Sequence, residues 1–357
     1  MPSRKAVKPI APMEARTSDE PPVGPEWQYE PKWDGFRCIA TRHGDSISLS
    51  SKAGQPLARY FPEIAACLQA LKATRFILDG EIVVPVDGRF SFDDLLQRIH
   101  PAASRIRRLS TERAAILIVF DLLQDERGRS LIERTLADRR PLLERFAARF
   151  FSERGCLRLS PATPDLKQAR RWFNAAGGNL DGIIAKRVDL PYRAGERDGM
   201  VKIKHRRTAE CVVGGYRLAS SGKAIGSLLL GLYDRDGLLH HVGFTSSFSA
   251  AERKALGPMV EPLKSASSFT GRAPGGPSRW STERSTEWQP IKPTLVAEVE
   301  YDHFTGDRFR HGTKLLRWRP DKPARACTFD QIDRGAGSTM HLLDRPGNPA
   351  RKRRAGS

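Results

Sequence analysis

The strongest constraint on the fold is a change in the pattern of the chain near residue 207. From residue 27 up to this point, strand-like runs alternate with helical runs. After it come short strand-like runs separated by Gly and Asp turns, with one helical run among them. A chain of 357 residues is long enough for two units, each with its own core. The sequence therefore predicts two domains of different architecture.

The segment before residue 207 is predicted to be an α+β domain. Its strand candidates are FRCIATRHG, SISLSSKAG, ATRFILDGEIVVPV, AAILIVFDLLQ and NLDGIIAKRVD. Its helical candidates are YFPEIAACLQALKA, with Pro62 in the first turn, FSFDDLLQRIHP, LIERTLADRRPLLERFAARFF, and PDLKQARRWFNAAGG, which ends on Gly177. Such a mixture lets strands meet through hairpins as well as crossovers, which is typical of the α+β class.

The segment after residue 207 is predicted to be a five-stranded OB barrel. Its strand candidates are ECVVGGYRLA, AIGSLLLGLYDRDG, LLHHVGFTSS, LVAEVEYDHFTGD and LLRWRPDK. The helical run SAAERKALGPMVEPLKS lies between the third and the fourth, which is the OB plan and a frequent nucleic-acid binder. We expect a long polar loop over 265–290. The predicted divisions are a disordered lead-in (1–24), the α+β domain (25–207), the barrel (208–330) and a disordered basic tail (331–357) containing RKRR.

The charge balance favours a polyanionic partner. The chain has 60 Lys and Arg against 41 Asp and Glu, a net charge of +19. Nucleic acid is the commonest partner for such a surplus, and a membrane surface is the competing one. No apolar run approaches the roughly 20 residues of a membrane-spanning helix. The N-terminus lacks a hydrophobic core segment, so no signal peptide is expected.

The cysteine pattern predicts a reducing compartment. Five cysteines stand far apart, without any C-x-x-C pair. This odd number and wide spacing argue against a disulfide framework and against a zinc ribbon, and fit a reducing cytoplasm. No G-x-x-x-x-G-K-[ST] sequence occurs, so nucleotide chemistry of the P-loop kind is not expected.

Six clusters of polar residues follow one another along the chain. In order, they are YEPKWDGFR with Lys32, LDGEI with Asp79 and Glu81, FDLL with Phe120 ending an apolar strand, LDGIIAKR with Asp181 before a glycine and a buried strand, VKIKHRR with Lys202 and Lys204 on one strand face, and RWRPDK with Arg317, Arg319, Asp321 and Lys322. Each alone also fits a bland interpretation, such as a strand edge, a solvated acid pair, an amphipathic strand or a surface ion-pair cluster. Their fixed order across two domains instead indicates phosphate and metal chemistry.

The lysine cluster reads Lys32-Trp33-Asp34-Gly35-Phe36-Arg37 and resembles the K-x-D-G-x-R motif of covalent nucleotidyltransferases. Within that superfamily the chain resembles ATP-dependent DNA ligases, particularly the short bacterial type. YEPKWDGFR, LDGEIV, FDLL, DGIIAKR, LPYRAGERDGMVKIK and FRHGTKLLRWRPDK carry this resemblance, which spans most of the chain between the two predicted disordered ends. It implies an α+β nucleotidyltransferase (adenylation) domain followed by an OB-fold β-barrel.

The resemblance also implies roles for individual residues. Lys32 is the catalytic nucleophile. The expected ATP contacts are Glu30 at the adenine edge, Phe120 on the adenine ring, Glu81 at the ribose, Arg37 at ribose and phosphate, Lys52 where the family usually has arginine, and Arg197, Lys202 and Lys204. The expected metal ligands are Asp79 and Asp181, the latter where most ligases have glutamate. Arg317, Arg319, Asp321 and Lys322 are expected to orient pyrophosphate in the first step, after the OB domain folds over the active site.

The implied activity is an ATP-dependent DNA ligase that works in three steps. The neutral amine of Lys32 takes AMP from ATP, AMP passes to the 5′-phosphate at a nick, and the 3′-hydroxyl then displaces AMP. The cations Arg37, Lys202 and Lys204, together with a bound divalent metal, are expected to lower the pKa of Lys32. The implied cofactors are ATP and Mg²⁺ or Mn²⁺.

The resemblance and the charge together suggest where the enzyme acts and with what. The expected partner is nicked duplex DNA, with a repair polymerase or end-binding proteins supplying activities that no fused domain provides. A monomer in the cytoplasm, associated with the nucleoid and not with a membrane, is expected to act in DNA repair and recombination.

Other functions remain open at this point. An RNA ligase or an mRNA-capping guanylyltransferase shares the lysine chemistry, although capping needs GTP and a triphosphatase partner. A non-catalytic OB protein with a degenerate transferase domain is disfavoured by the complete set of motifs. Ligation with NAD is disfavoured because that class has a cysteine zinc site, and this sequence shows no such cysteine spacing. The repair pathway and the preferred nick or gap are not predicted.

Overall fold

A computed structural model describes residues 10–152, 155–175, 180–204, 207–219, 222, 224–275, 287–332 and 340–343. It divides into two units, of which residues 1–204 and 335–357 form the first and residues 205–334 the second. The division falls close to residue 207, where the sequence pattern changes.

The first unit contains two main sheets. Its strands are β1 (Arg16–Ser18), β2 (Trp27–Lys32), β3 (Phe36–His43), β4 (Ser46–Ser51), β5 (Arg75–Val83), β6 (Pro85–Val86), β7 (Arg89–Phe90), β8 (Ile116–Gln124), β9 (Leu157–Leu159), β10 (Gly182–Arg187) and β11 (Met200–Lys204). One sheet has the order β4-β3-β5-β8-β9, and the other has the order β1-β11-β10-β2. Strand β10 runs antiparallel to both β2 and β11, so it places residues from three distant segments side by side.

The described residues of the first unit form five α-helices, some of which begin at a local capping signal. They are α1 (Pro62–Ala70), α2 (Phe92–Gln97), α3 (Ala103–Glu112), α4 (Leu136–Phe150) and α5 (Leu166–Ala175). Pro62 occupies the first turn of α1, where a missing N–H costs no helical hydrogen bond. The Thr135 side chain caps α4 by accepting a hydrogen bond from the Asp138 N–H. Helix α3 was not predicted, and the predicted end of α5 at Gly177 lies outside the described residues.

The second unit is a closed barrel. Its elements are β12 (Arg207–Leu218), β13 (Ile225–Tyr233), β14 (Leu239–Ser247), α6 (Ala250–Val260), β15 (Gln289–Pro290), β16 (Val296–Tyr301), β17 (Phe304–Thr305), β18 (Arg308–Phe309) and β19 (Thr313–Trp318). The pairing order is β13-β14-β19-β16-β12, and β12 also pairs with β13 to close the ring. Helix α6 falls between the third and fourth barrel strands and starts with a Ser249–Glu252 capping box. The predicted α+β first domain and OB barrel are confirmed.

Both predicted disordered ends contain ordered residues, so those predictions are wrong in part. In the lead-in, β1 pairs in parallel with β11 from Arg16↔Val201 to Ser18↔Ile203, and Met13 is buried. Backbone pairing to a distant strand needs no local hydrophobic pattern, which is why the lead-in looked unstructured. In the tail, Ile332 is buried, and Leu342 and Leu343 pack near Trp33. The RKRR run and residues 276–286 of the predicted polar loop lie outside the described residues.

The cysteine prediction also needs a correction, because Cys67 and Cys156 form a disulfide. Cys67 lies on α1 and Cys156 directly precedes β9, and both pack against the core of the five-stranded sheet. Their separation of 89 residues conceals the pair in the sequence. Cys38, Cys211 and Cys327 are free and buried. Among the helices that the structure describes, none is long and apolar enough to cross a bilayer.

Candidate active site

A cavity of about 210 Å³ in the first unit brings most of the predicted nucleotide contacts together. Residues from both sheets line it, including Glu30, Lys32, Glu81, Phe120, Lys186 and Lys202. Arg37 and Lys52 lie on its wall as well. A larger cavity of about 620 Å³ in the second unit, beside Asp234 and His240, has no predicted site residue among its described lining.

Lys32 ends strand β2 and is held by Asp181. The Lys32 ammonium forms an ion pair with the Asp181 carboxylate, and the Asp181 backbone N–H donates to the Lys32 carbonyl oxygen at 3.0 Å. Lys204 Nζ lies 3.6 Å from the same carboxylate. Lys202 and Lys204 alternate with buried Val201 and Ile203, so they share one face of β11 as predicted. One aspartate thus stands between two lysines of the site.

Gly182 allows this close arrangement of β2, β10 and β11. Its φ of +139° is one that L side chains rarely adopt. A Cβ atom at this position would lie 1.9 Å from the Ile203 carbonyl oxygen. The glycine after Asp181 therefore lets β10 pass against β11 while Asp181 reaches Lys32. This contact explains the glycine of the LDGIIAKR cluster.

The pKa of Lys32 differs from the expectation. Burial alone lowers it, but the Asp181 carboxylate, with Glu81 and Asp34, raises it above the ordinary value. The prediction that neighbouring protein cations lower this pKa is therefore wrong, because the charged group nearest to the Lys32 ammonium is the Asp181 carboxylate. Lys202 behaves as expected for a cationic cluster, since burial and the charges of Lys204 and Lys32 lower its pKa.

Glu81 is the second acidic group of the cavity. Burial raises the pKa of Glu81 to about 7, although Arg37 and Lys32 act in the opposite direction. It lies opposite Arg37 in the register of β3 and β5. Such a carboxyl can hold a hydroxyl group of a ligand as either a donor or an acceptor near neutral pH.

Glu30 and Phe120, which both line the cavity, each contact Lys186. Glu30 is buried and accepts hydrogen bonds from Lys186 Nζ at 2.8 Å and Gln28 Nε2 at 3.0 Å. Lys186 Nζ also lies 4.5 Å from the centre of the Phe120 ring. The Arg37 guanidinium lies at the same distance from this ring. The prediction placed Phe120 at the end of a strand, but it lies in the middle of β8.

The Asp79 carboxylate is occupied by hydrogen bonds from other side chains. Its carboxylate accepts two hydrogen bonds from Arg37, each at 2.6 Å, and one from the Tyr192 hydroxyl at 2.7 Å. The side chain is fully buried. Among the described residues, no group of three or more His, Cys, Asp or Glu side chains is arranged to hold a metal ion. The metal role of Asp79 stays a prediction, while its visible role is to fix Arg37.

Glu14 connects two exposed cations at the edge of the cavity. Its carboxylate lies 3.2 Å from Lys52 Nζ and 2.8 Å from an Arg197 guanidinium nitrogen. Glu14 itself lines the cavity with its neighbours Met13 and Ala15. The hydrogen bond from Lys52 is the main cause that lowers the pKa of Glu14. A residue from the predicted disordered lead-in therefore joins the site.

The RWRPDK residues form an ion-pair network within the second unit. Arg319 pairs with Asp321 at 2.8 Å and with Glu210, and Lys322 Nζ lies 2.7 Å from the Glu210 carboxylate. Arg317 Nε lies 2.6 Å from Glu298. These contacts tie the end of β19 to β12 and β16. The network matches the alternative interpretation of this cluster as a surface ion-pair cluster. The pyrophosphate role of its residues stays a prediction.

Comparison with protein-family models gives two consecutive matches. A model of the ATP dependent DNA ligase domain matches residues 16–204, and a model of the ATP dependent DNA ligase C terminal region matches residues 221–322. The first match alone covers more than half of the chain. The protein belongs to the ATP-dependent DNA ligase family.

Two similar proteins are mycobacterial ligases. DNA ligase C2 of Mycolicibacterium smegmatis is 43% identical over 345 residues, which cover 91% of this ligase and 94% of the relative. DNA ligase C of Mycobacterium tuberculosis is 42% identical over 344 residues, with the same coverages. A solved Lig E DNA ligase is 14% identical, covers 88% of this chain and all of that one, and has a TM-score of 0.55, which shows the fold alone.

The ligase pocket gathers Lys32 and most of the predicted ATP contacts, but not the other predicted site residues. Seven line the one cavity: Glu30, Lys32, Arg37, Lys52, Glu81, Phe120 and Lys202. Lys204 and Asp181 stand beside Lys32. Arg197 joins this group through Glu14, and Asp79 joins it through Arg37.

Sequence reasoning missed three residues of this ligase site: Glu14, Lys186 and Tyr192. Lys186 was part of the quoted LDGIIAKR cluster, and its two-residue spacing from Ile184 could have placed it on the pocket face of a strand. Tyr192 lies in LPYRAGERDGMVKIK, but no local pattern shows that it donates to Asp79. Glu14 has no local signal.

Proposed function

We propose that this ligase seals nicks between a 5′-phosphate and a 3′-hydroxyl in DNA through an AMP adduct on Lys32. The proposal rests on one cavity that contains the Lys32 amine together with groups suited to a purine base and a group suited to phosphate. Glu30 and Phe120 suit the edge and the face of a purine, and Lys202 suits phosphate. A covalent nucleotidyl transfer needs these three functions around one nucleophile.

In the first step, the Lys32 amine attacks the α-phosphorus of ATP. A P–N bond forms, the bond to the leaving oxygen breaks, and pyrophosphate departs with the electron pair. The lysine must first lose its proton, and the Asp181 contact opposes this loss. Once that contact is broken, Lys202 and Lys204 favour the neutral amine, and the proton passes to water. The same lysines then stabilise charge on the phosphoryl oxygens.

The residues present fit a magnesium ion that is bound mainly by water and phosphate. Mg²⁺ takes one or two protein carboxylates together with substrate phosphates, so a three-carboxylate cluster is not required. Asp181 suits this role, because its carboxylate faces the lysine that reacts with the α-phosphate. Asp79 suits it less, because Arg37 and Tyr192 occupy both of its oxygens. Such a cation, held by Asp181, would supply positive charge that neutralises the phosphate oxygens.

The second and third steps use the nick. AMP passes from Lys32 to the 5′-phosphate, and the 3′-hydroxyl then attacks that phosphate and expels AMP. The net charge of +19 supports a grip on the duplex backbone on both sides of the nick. A role in DNA repair is supported by similarity to a multifunctional non-homologous end joining protein of Pseudomonas aeruginosa, LigD, which is 31% identical over 327 residues. These residues cover 90% of this ligase and 37% of that relative.

We assign the RWRPDK residues to the first step. Arg319 and Lys322 carry charge that suits pyrophosphate, and both are engaged by Glu210 in this structure. The assignment requires the barrel to fold over the nucleotide and to reopen before DNA binds. A residue used only for pyrophosphate departure matters little once AMP is already on the DNA.

Nick sealing with matched strands tests the proposed function. The substrates are a nicked DNA duplex, the same duplex with RNA on the 3′-hydroxyl side, and one with RNA on the 5′-phosphate side. We expect the protein to seal the DNA nick with ATP and Mg²⁺, and the Lys32→Arg protein not to seal it. A Lys72→Arg variant, changed at an exposed lysine, is the control. Sealing of RNA strands alone would instead assign the chain to RNA ligation.

A further inference from the structure

A short C-terminal turn, Met340–Leu343, follows the barrel in the chain but belongs to the first unit. Seven residues, 333–339, separate this turn from Ile332, whose side chain packs in the barrel core. The side chains of Leu342 and Leu343 pack against an apolar cluster formed by Trp33, Val83, Ile116, Ile118 and Leu180. None of the proposed reaction steps involves this turn.

The cluster contains the chain neighbours of both Lys32 and Asp181. Trp33 immediately follows Lys32, and Leu180 immediately precedes Asp181. The Asp181 backbone N–H donates to the Lys32 carbonyl oxygen at 3.0 Å, so the two cluster residues flank the two ends of that hydrogen bond. A displacement of Trp33 or Leu180 is therefore passed along the backbone to the nucleophile or to its carboxylate partner.

Trp33 is the largest side chain of the cluster and is held from several directions. It is 4% exposed, and its Nε1 donates to Ser160 Oγ at 3.0 Å. Its ring centre lies 5.7 Å from that of Phe90 in an edge-to-face contact. A Cβ atom at Gly35 would lie 2.2 Å from the Ile82 carbonyl oxygen, so the chain that follows Lys32 lies tightly against β5. Packing against Trp33 therefore acts close to the nucleophile.

The cluster continues the side of the five-stranded sheet that carries pocket residues. Val83 lies two residues after Glu81 on β5, so the two side chains share a face. Ile118 and Ile116 lie opposite Glu81 and Val83 in the register of β5 and β8. The C-terminal turn thus packs on the same side of the sheet as the nucleotide pocket.

Apolar packing against this cluster favours one position of the nucleophile. Burial of the two leucine side chains removes apolar surface from water, and their contacts weaken if the cluster residues shift. A nucleophilic reaction depends steeply on position, because a misplacement of about 1 Å can lower its rate by about 100-fold. Contacts behind Lys32 and Asp181 can therefore have a measurable effect on the first step of the reaction.

We propose that Leu342 and Leu343 are positioning residues for the first step of ligation. They complete the apolar cluster and act through Trp33 and Leu180, which fix the backbone on either side of the Lys32–Asp181 pair. The C-terminal turn lies outside both segments that the ligase family models match, so this contribution is additional to the family's motifs. The inference rests on the proposed function, because it assumes that Lys32 forms the AMP adduct.

The main test compares adduct formation with and without the two leucines in the full chain. Leu342→Ser/Leu343→Ser removes the apolar contacts, and Leu342→Met/Leu343→Met keeps most of the apolar volume. Leu218→Ser/Leu238→Ser changes two exposed leucines and is the control. In single-turnover reactions with Mg²⁺, we expect the serine variant to form the adduct at least about fivefold more slowly at saturating ATP, and the methionine variant to retain most of the rate. The half-saturating ATP concentration should change by less than about twofold, because the residues assigned to the base and the phosphates are unchanged.

Two further measurements separate positioning from a general loss of structure. With 5-fluorotryptophan in place of tryptophan, the ¹⁹F signal of Trp33, assigned with Trp33→Phe, should move in the serine variant and much less in the methionine variant. Sealing of a pre-adenylated nick should fall much less than adduct formation, because Lys32 is not the nucleophile of the third step. Urea unfolding reports whether each variant folds, and Leu343→Ser alone repeats the test if the double serine variant does not.

Three results would overturn the inference while leaving the ligase function intact. They are an unchanged Trp33 signal, an unchanged or faster adduct formation by a folded serine variant, and an equal loss of adduct formation and of pre-adenylated sealing. A wild-type protein that forms no adduct with ATP would overturn the proposed function and the inference together.

Discussion

Lys32 and Asp181 are joined twice, once through their side chains and once through their backbones. The ammonium of Lys32 pairs with the carboxylate, and the Asp181 N–H donates to the Lys32 carbonyl oxygen at 3.0 Å. The backbone bond places the carboxylate at the reacting nitrogen, and the side-chain pair raises the pKa of that nitrogen. The Asp181 contact therefore favours the protonated, unreactive form of the nucleophile.

Asp181→Asn is expected to impair the first step although it removes this restraint. The amide cannot replace a carboxylate that binds a cation next to the α-phosphate. We expect the rate of adduct formation with Mg²⁺ to fall by at least about tenfold, which corresponds to about 1.4 kcal/mol. Asp181→Glu should retain more activity, and Asp45→Asn, at an exposed position, should change nothing. Faster adduct formation by Asp181→Asn would show that Asp181 only restrains the lysine.

Glu14→Gln is expected to lower the apparent KM for ATP. The carboxylate neutralises Lys52 and Arg197, both of which the family resemblance assigns to ATP. Removing its charge leaves both cations available to phosphate, and we expect an effect of about two- to fivefold, typical of exposed ion pairs. The measurement is adduct formation against ATP concentration, with Glu20→Gln as the control. A raised KM would mean instead that Glu14 orients the two cations for the nucleotide.

The sequence was sufficient for residues whose function shows in a local motif. Lys32, Glu81 and Lys202 come from short clusters, and strand alternation alone predicts that Lys202 and Lys204 share a face. It was insufficient wherever a contact depends on the pairing of distant segments. Glu14 reaches Arg197 because β1 pairs with β11. The hydrogen-bond partners of Asp79 could not be predicted either, because the side chains that donate to its carboxylate come from β3 and from the loop before β11.

The Cys67–Cys156 disulfide should be visible in a thiol count. Under denaturing, non-reducing conditions we expect three reactive thiols per chain, from Cys38, Cys211 and Cys327. Closing a loop of 89 residues should stabilise the first unit by about 2–5 kcal/mol. Reductant should therefore lower the urea midpoint of wild type, but not that of the Cys67→Ala/Cys156→Ala variant. Five reactive thiols without reductant would contradict the disulfide.

Arg319→Ala and Lys322→Ala should separate the first step from the third. Both residues are assigned to pyrophosphate departure, so each variant should lose most ATP-driven adduct formation. Each should lose much less of its single-turnover sealing of a nick that already carries AMP. Arg325→Ala, a nearby cation outside the RWRPDK cluster, is the control. Equal damage to both reactions would place the cluster on DNA or in the barrel's stability, since Arg319 and Lys322 also hold Glu210.

The most direct test of the account is to locate the AMP adduct. The protein is incubated with ATP and Mg²⁺, denatured and analysed by intact mass and peptide mapping, beside Lys32→Ala and the control Lys72→Ala. We expect one AMP per chain on the peptide containing Lys32 in wild type and the control, and none in Lys32→Ala. An adduct of normal yield in Lys32→Ala, or AMP mapped to Lys186, Lys202 or Lys204, would contradict the assignment of the nucleophile.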